Sequence, residues 1–219
     1  TFGGNLMMRR HRSISTSPGE LKVPDLFTVN NATKSISVGE EFSRKKINSL
    51  YGTAQINYNG FLFIDGTFRN DWSSTLSKEN RSFFYPSISA SWVISEMLEK
   101  MDKPLPEWFT YAKLRGSYAE VGNSLEPYQL YNTYSIGQAP DNTTTVSQDK
   151  TLYNSSVRSE LIKSWEFGAE IRFFNNRLGF DFSWYKSNAT RQLINLPMDN
   201  LSGYKKRKVN AGNIENKGF

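Results

Sequence analysis

Glu166 and Glu170, two acids four residues apart, are the side chains in this 219-residue chain most suggestive of paired-carboxylate chemistry. Their surroundings, Ser164-Trp165-Glu166-Phe167-Gly168-Ala169-Glu170-Ile171-Arg172-Phe173, alternate polar and apolar residues, the signature of a strand. On a strand the two acids share a face but stand roughly 13 Å apart, at about 3.3 Å per residue. A glycosidase pair needs about 5–9.5 Å. The single histidine, His11, lies in a polar stretch, and there is no cysteine, so a histidine- or thiolate-based metal site has no support. No nucleophile elbow and no phosphate loop occurs. The expectation is a protein that is not an enzyme, with no catalytic residue, no metal ligand and no cofactor.

What needs explaining instead is charge placed in the middle of strands. Asp65, Arg69, Lys113, Arg115, Glu166, Glu170, Arg172 and Asp181 all fall on the polar side of alternating segments. The opposite sides are apolar. Ile88, Ala90, Trp92 and Ile94 oppose Ser87, Ser89, Ser91 and Ser95. The apolar set further includes Ile56, Tyr58, Leu62, Ile64, Trp165, Phe167, Phe180, Phe182 and Trp184. Period-two alternation puts the two sets on opposite faces of a sheet. Segments of about 9–11 residues match a membrane-crossing β-strand, with the apolar face toward lipid.

Composition agrees. Mean hydropathy is −0.57 and 14% of residues are aromatic. No run of about 18 apolar residues exists, so no transmembrane helix is expected, while a barrel strand needs only every second residue apolar. The net charge of +6 is mostly dispersed. Its two tight runs, Arg44-Lys45-Lys46 and Lys205-Lys206-Arg207-Lys208, suit solvated loops or anionic lipid head groups better than nucleic acid. The chain opens at Thr1 without a signal segment, as a mature, trimmed or internal piece does.

Along the chain, strands are expected at 47–58, 61–69, through Ile88, at 112–119, 164–173, 178–184 and 208–219. Asn59-Gly60 and Asn175-Asn176-Arg177 are turn signals. Pro86 is placed at a strand start, and residues 95–101 have a short helical look. Residues 189–197 are expected to prolong the preceding strand. Residues 9–46, 71–83, 121–163 and 198–206 are expected to be long polar loops, with a short hairpin between Tyr131–Ile136 and Thr151–Ser155. Long loops alternate with the compact connections 59–60, 96–108 and 175–177, which is the pattern of an outer-membrane barrel. Two organisational units follow, a strand end plus long extracellular loop at 1–46 and a barrel segment at 47–219.

Several segments carry a family resemblance. They are Arg69-Asn70-Asp71-Trp72-Ser73-Ser74, then 84–92 (Phe-Tyr-Pro-Ser-Ile-Ser-Ala-Ser-Trp), then 112–123 (Ala-Lys-Leu-Arg-Gly-Ser-Tyr-Ala-Glu-Val-Gly-Asn), then Ser164-Trp165-Glu166-Phe167-Gly168, 173–178 and 210–218. In this order they resemble the barrel of SusC-type (SusC/RagA) TonB-dependent outer-membrane transporters of the Bacteroidetes; residues 1–46 match only loosely. The resemblance implies an all-β fold, an antiparallel up-and-down transmembrane β-barrel segment. It would supply about eight strands of a plugged barrel of about 22. The plug and the TonB-contact segment would lie outside these residues. Phe219 imitates a terminal aromatic, but in this family the Asn-Lys-Gly segment continues into further strands.

The resemblance also implies active import of an oligomer, a glycan or a peptide, across the cell outer membrane. A SusD-type surface lipoprotein would be the lid and the TonB complex the energy source. The mid-strand charges would face the lumen, pairing with plug or neighbouring strands more often than with solute. Asp71, Trp72, Asn123, Tyr128 and Tyr131 would lie near the extracellular mouth as solute or partner contacts. Trp72 also suits interface anchoring, and the Asp and Asn residues suit loop hydrogen bonds. Two other readings stay open. A stand-alone eight-stranded barrel, an anchor or adhesin, would pair residues 1–8 with 208–219. A soluble β-sandwich carbohydrate-binding module would need no detergent.

Overall fold

The computed structural model describes all residues except Pro18, Lys34, Ser35, Pro104 and Pro140. In chain order the strands are β1 (Phe2–Ser17), β2 (Ser37–Tyr58), β3 (Leu62–Ser73), β4 (Ser82–Val93), β5 (Phe109–Asn123), β6 (Tyr134–Gln138), β7 (Thr144–Gln148), β8 (Thr151–Leu152), β9 (Glu160–Phe173), β10 (Leu178–Thr190), β11 (Leu193–Pro197), β12 (Lys206–Asn210) and β13 (Asn213–Gly218). A short helix, α1 (Ile94–Lys100), follows β4. Eight strands form one sheet in the order β1-β2-β3-β4-β5-β9-β10-β13. Every neighbouring pair is antiparallel, so the chain runs up and down.

The sheet is open. β1 pairs with β2 and β13 with β10, and among the described residues nothing joins β1 to β13. The closed eight-stranded barrel, which needed residues 1–8 against 208–219, is therefore overturned. A sandwich is equally absent from the described residues. The two remaining sheets, β11-β12-β8 and β6-β7, are small.

The compact connections gather at one end. Asn59 and Gly60 take φ 49° and 73°, and Asn57 Oδ1 accepts the Gly60 N–H at 2.9 Å. Lys100 at the end of α1 donates to the Asn59 carbonyl, so the helix braces the hairpin turn. At the β9–β10 turn Phe174, Asn175 and Asn176 all have positive φ, where asparagine is the least strained residue after glycine. Measured along β5, this end drifts. The β2–β3 turn lies at the row of Leu62, Trp92 and Leu114, and the β9–β10 turn at the row of Phe109 and Phe173. That stagger, about one residue per strand, is what a tilt of about 40° requires.

The structure corrects several expectations. Residues 9–46 are not one loop. β1 and β2 stay paired from Phe2↔Gly52 to Ser17↔Ser37. β2 meets β3 only from Ile47, so residues 8–17 and 37–46 form a two-stranded ribbon that runs on past the sheet, its base tied by Lys46 to Ser74 and by Lys45 to the Leu125 carbonyl. With both faces in water, such a ribbon has no apolar alternation to betray it. Pro86 lies inside β4, not at its start; the ladder to β5 begins one residue later at Ser87↔Ala119, so the missing N–H disrupts nothing. The loop hairpin joins Tyr134–Gln138 to Thr144–Gln148, not 131–136 to 151–155. Residues 193–197 do not prolong β10, because Arg191 at φ 57° turns the chain into a separate sheet. Gly212 at φ 93° likewise splits the expected last strand into β12 and β13. Loop lengths are less polarised than expected, since the connector 94–108 exceeds the 74–81 loop at the other end.

The left-handed turn makes a test. Asn176→Val forces a β-branched residue into positive φ and costs about 1–2 kcal/mol, whereas Asn176→Gly is neutral or better. The readout is the urea midpoint of the full-length protein, followed by heat-modifiable migration on gels. Equal midpoints for Val and Gly would refute the assignment.

Candidate functional site on a polar sheet face under a packed loop cap

Register sorts the side chains into two faces. One row across the sheet is Ile56, Ile64, Ala90, Gly116, Phe167 and Trp184; the next is Tyr58, Leu62, Trp92, Leu114, Ala169 and Phe182. Ile88, Trp165 and Phe180 fall on the same face. Most of these large apolar side chains are exposed, and a contiguous apolar face of this extent is foreign to a water-solvated surface. Tyr118 packs on Trp165 with ring centroids 4.4 Å apart, and Trp108, Phe109, Phe173 and Phe180 cluster at the short-turn end.

The eight mid-strand charges all lie on the opposite face, and three groups of them are knit within the wall. Arg115 makes a two-pronged contact with Asp181 at 2.7 and 3.1 Å and donates to Ser183 Oγ at 2.6 Å. Gly168 permits this, because a Cβ there would stand 2.4 Å from Arg115 Nε. Arg172 donates to Glu170 at 2.9 Å from Nε, with its guanidinium 5.2 Å from the Tyr111 ring centroid. Arg69 bonds Asp71 at 2.8 Å and Ser49 Oγ at 2.9 Å, while Tyr85 donates to the other Asp71 oxygen at 2.8 Å. Two depressions adjoin these groups. One of about 360 Å³ is lined by Tyr51, Thr67, Arg69 and Tyr85. Another of about 220 Å³ is lined by Ser89, Lys113, Ser117 and Glu166. Among the described residues Lys113, Glu166 and Asp65 enter no ion pair, and Asp65 only accepts a long 3.5 Å bond from Ser89.

The end opposite the short turns carries the buried apolar cluster of the described residues. Leu76, Leu125 and Val157 come from the 74–81 and 124–159 connections and pack with Phe83, Leu130 and Leu193. Side chains tie the connections together. Lys45 donates to the Leu125 carbonyl at 2.9 Å, and Asn80 to the Ser156 carbonyl at 3.2 Å. Asn210 accepts from the Arg158 N–H at 2.6 Å and donates to the carbonyls of Arg158 and Arg191 at 2.9 and 2.8 Å. Lys208 donates to Gln129 at 2.7 Å, and partial burial lowers its ammonium below the ordinary lysine range. These loops form a folded cap.

The five mouth candidates part company. Asp71 is 6% exposed with both oxygens engaged, so it braces the wall. Trp72, its neighbour on β3, points to the apolar side. Asn123 donates to Glu160 at 3.2 Å at the base of the cap. Tyr128 and Tyr131 are exposed on the cap, as are Tyr134, Ile136 and Val146 on the β6–β7 hairpin.

Residues 9–219 match the family described as TonB dependent receptor-like, beta-barrel. The chain belongs to this family. TonB-dependent receptor P3 of Formosa agariphila is 28% identical over 178 residues, covering 78% of this chain and 17% of that protein. TonB-dependent receptor SusC of Bacteroides thetaiotaomicron is 26% identical over 190 residues, covering 81% of this chain and 18% of its own length. The fold superposes on a chain of the RagAB peptide transporter with a TM-score of 0.83 at 21% identity, over 99% of this chain and 24% of that one. The ferric enterobactin receptor PfeA gives a TM-score of 0.54 at 17% identity. The chain thus spans under a fifth of these curated relatives and about a quarter of the RagAB chain.

As a member of the TonB-dependent receptor barrels, the chain has the expected alternation of apolar and polar faces. Sequence reasoning missed Ser49, Tyr85, Tyr111, Gly168 and Ser183. Ser49, Tyr85, Tyr111 and Gly168 act on a residue of the next strand, and Ser183 on Arg115 two strands away across Gly168, so finding them required the register. A contrast tests the network in the full-length receptor. Asp71→Ala strands the donors of Arg69 and Tyr85 and costs about 1–3 kcal/mol in unfolding. Asp181→Ala, at a half-exposed pair, costs about 0.2–1 kcal/mol. Urea titration in detergent reads both, and a reversed order would refute the buried-brace assignment.

Proposed function

We propose that this chain is a wall segment of an outer-membrane TonB-dependent transporter that imports oligomeric nutrients, glycans or peptides. A SusD-type surface lipoprotein closes it from outside and the TonB complex drives it through a region outside these residues. The observation that carries the reading is one sheet with an uninterrupted apolar face, a charged opposite face and a folded loop cap at a single end. On this reading the apolar face meets lipid and the cap faces the cell exterior, because long connections of such barrels are extracellular.

The charged face then lines the lumen. Its internally paired charges set the shape of the wall, and Lys113 and Glu166 beside their depression are the groups available to plug or solute. The lid contact is assigned to the cap. Tyr128, Tyr131, Tyr134, Ile136 and Val146 expose apolar and aromatic surface on short elements projecting beyond the sheet, which suits a protein partner. Similarity to TonB-dependent receptor SusC and to the RagAB peptide transporter supports a transporter of this kind, and RagAB supports peptide as one class of cargo.

The test uses the full-length transporter expressed with its neighbouring lipoprotein. Ile136→Asp with Val146→Asp should lower lipoprotein co-purification at least tenfold while leaving outer-membrane insertion and heat-modifiability intact. Uptake of glycan or peptide oligomers should fall in parallel. Unchanged co-purification would overturn the lid assignment. Loss of uptake of neither oligomer class on deleting the whole receptor would overturn the import reading.

A further inference from the structure

On the β5–β13 half of the sheet, the apolar face ends in charges that are already matched. Above Tyr118 and Trp165, Lys163 pairs with Glu120 at 3.0 Å, and Lys186 and Lys217 pair with Glu215 at 2.9 and 3.0 Å. On the β1–β4 half the same face ends differently. Going up β1 it reads Phe2, Leu6, Met8, Arg10, and going up β2 it reads Leu50, Asn48, Lys46, Arg44. Phe2, Leu6 and Leu50 are exposed, so the face passes from apolar to cationic within a few residues. With a stagger of about one residue per strand, Lys46 stands level with Lys163, Lys186 and Lys217.

Among the described residues Arg10, Arg44 and Lys46 enter no ion pair. Arg10 sits directly across from Arg44, and like charges facing each other across strands oppose pairing. Arg12, further along the ribbon, does have a partner, Glu40 at 2.7 Å. Between β2, β3 and β4 lies a groove of about 300 Å³ lined by Lys46, Asn48, Trp72, Ser73, Ser74 and Arg81. Backbone bonds fix its walls. Ser74 N–H donates to the Lys46 carbonyl, Ser74 Oγ accepts from Lys46 N–H, and Ser73 N–H donates to the Arg81 carbonyl, each at 2.9 Å. Lys46 and Arg81 are exposed, and among the described residues neither enters an ion pair.

We propose that this groove is a binding site for the phosphate-bearing head group of an anionic membrane lipid. Lys46 and Arg81 flank the phosphate, and Arg44 and Arg10 lie above it. Trp72 anchors at the boundary, where indoles settle. The acyl chains run down the apolar face past Phe68 and Leu50, which are exposed. The lipid supplies the negative charge that Glu120 and Glu215 supply on the other half. A soluble anion would have no use for the apolar surface directly below, which favours a lipid. The inference rests on the reading that the apolar face meets lipid.

The test is native mass spectrometry of the full-length receptor, extracted in non-ionic detergent and equilibrated with equal amounts of phosphatidylglycerol and phosphatidylcholine. Wild type should retain phosphatidylglycerol selectively. Lys46→Gln with Arg81→Gln should cut that retention about thirtyfold, at about 1 kcal/mol per cation, and leave phosphatidylcholine adducts unchanged. If the double variant does not migrate as a folded barrel, Arg81→Gln alone should give about fivefold. Lys186→Gln, whose charge is already matched, should change little. Retention unaffected by the variants would overturn the site. Displacement of the lipid by excess sodium phosphate at matched ionic strength would reassign it to free anions. Absence of any lipid adduct on wild type would instead overturn the reading of the apolar face.

Discussion

A backbone that crosses hydrocarbon must satisfy every N–H and C=O within the protein. The antiparallel ladder from β1 to β13 answers that constraint for the strands inside the sheet and leaves the outer edges of β1 and β13 to be met by further strands, and most other features of the chain follow from it. A ladder without gaps fixes the register, and the register fixes the faces. A one-residue slip of β9 would turn Glu166, Glu170 and Arg172 toward the apolar side. Arg115 resists such a slip, because it reaches Asp181 and Ser183 on β10 by lying across Gly168 of β9, where a Cβ would stand 2.4 Å from its Nε. Pro86 is tolerated because it falls where the β4–β5 ladder has not yet begun.

The same constraint decided what could be foreseen from residues alone. Where one face meets an apolar medium, alternation is strict, so the rows through Ile64, Trp92 and Phe167 were legible, as were the Asn59-Gly60 turn and the eight charges on the other face. Where both faces meet water, the pressure for alternation vanishes. The ribbon of residues 8–17 and 37–46 therefore reads as loop in the sequence, and the bounds of β6, β7, β11 and β12 do not show there. Asp71 marks a second limit. Its neighbours in sequence suggest a loop residue at a mouth, and only the register that brings Ser49 and Tyr85 beside it shows a brace.

The cap is held by a different balance. Its apolar cluster is small, three buried side chains with three partners, and cannot by itself order so much chain. Side-chain amides do the joining. Asn132 donates to the Thr151 carbonyl and accepts from Tyr153 N–H, as Asn210 does between Arg158 and Arg191. Amides suit this task because one side chain can satisfy donors and acceptors at once without introducing charge. Tyr128, Tyr131 and Ile136 do not take part in the cluster and stay exposed on this frame.

Charge on the polar face follows from the same economy of partners. Arg115, Asp181, Arg172, Glu170, Arg69 and Asp71 neutralise one another inside the wall, so their fields largely cancel at a distance. Lys113, Glu166 and Asp65 are left to act outward, and two of them flank one depression. An isolated charge facing a wide, wet space keeps its hydration and interacts weakly with a passing solute. The same charge against a packed domain is desolvated and demands a partner. A lysine and a glutamate a strand apart offer both signs to whatever packs there. That pattern fits a complementary protein surface better than a repeating sugar or a variable peptide, which within the proposed transporter favours the plug over solute as the partner of Lys113 and Glu166.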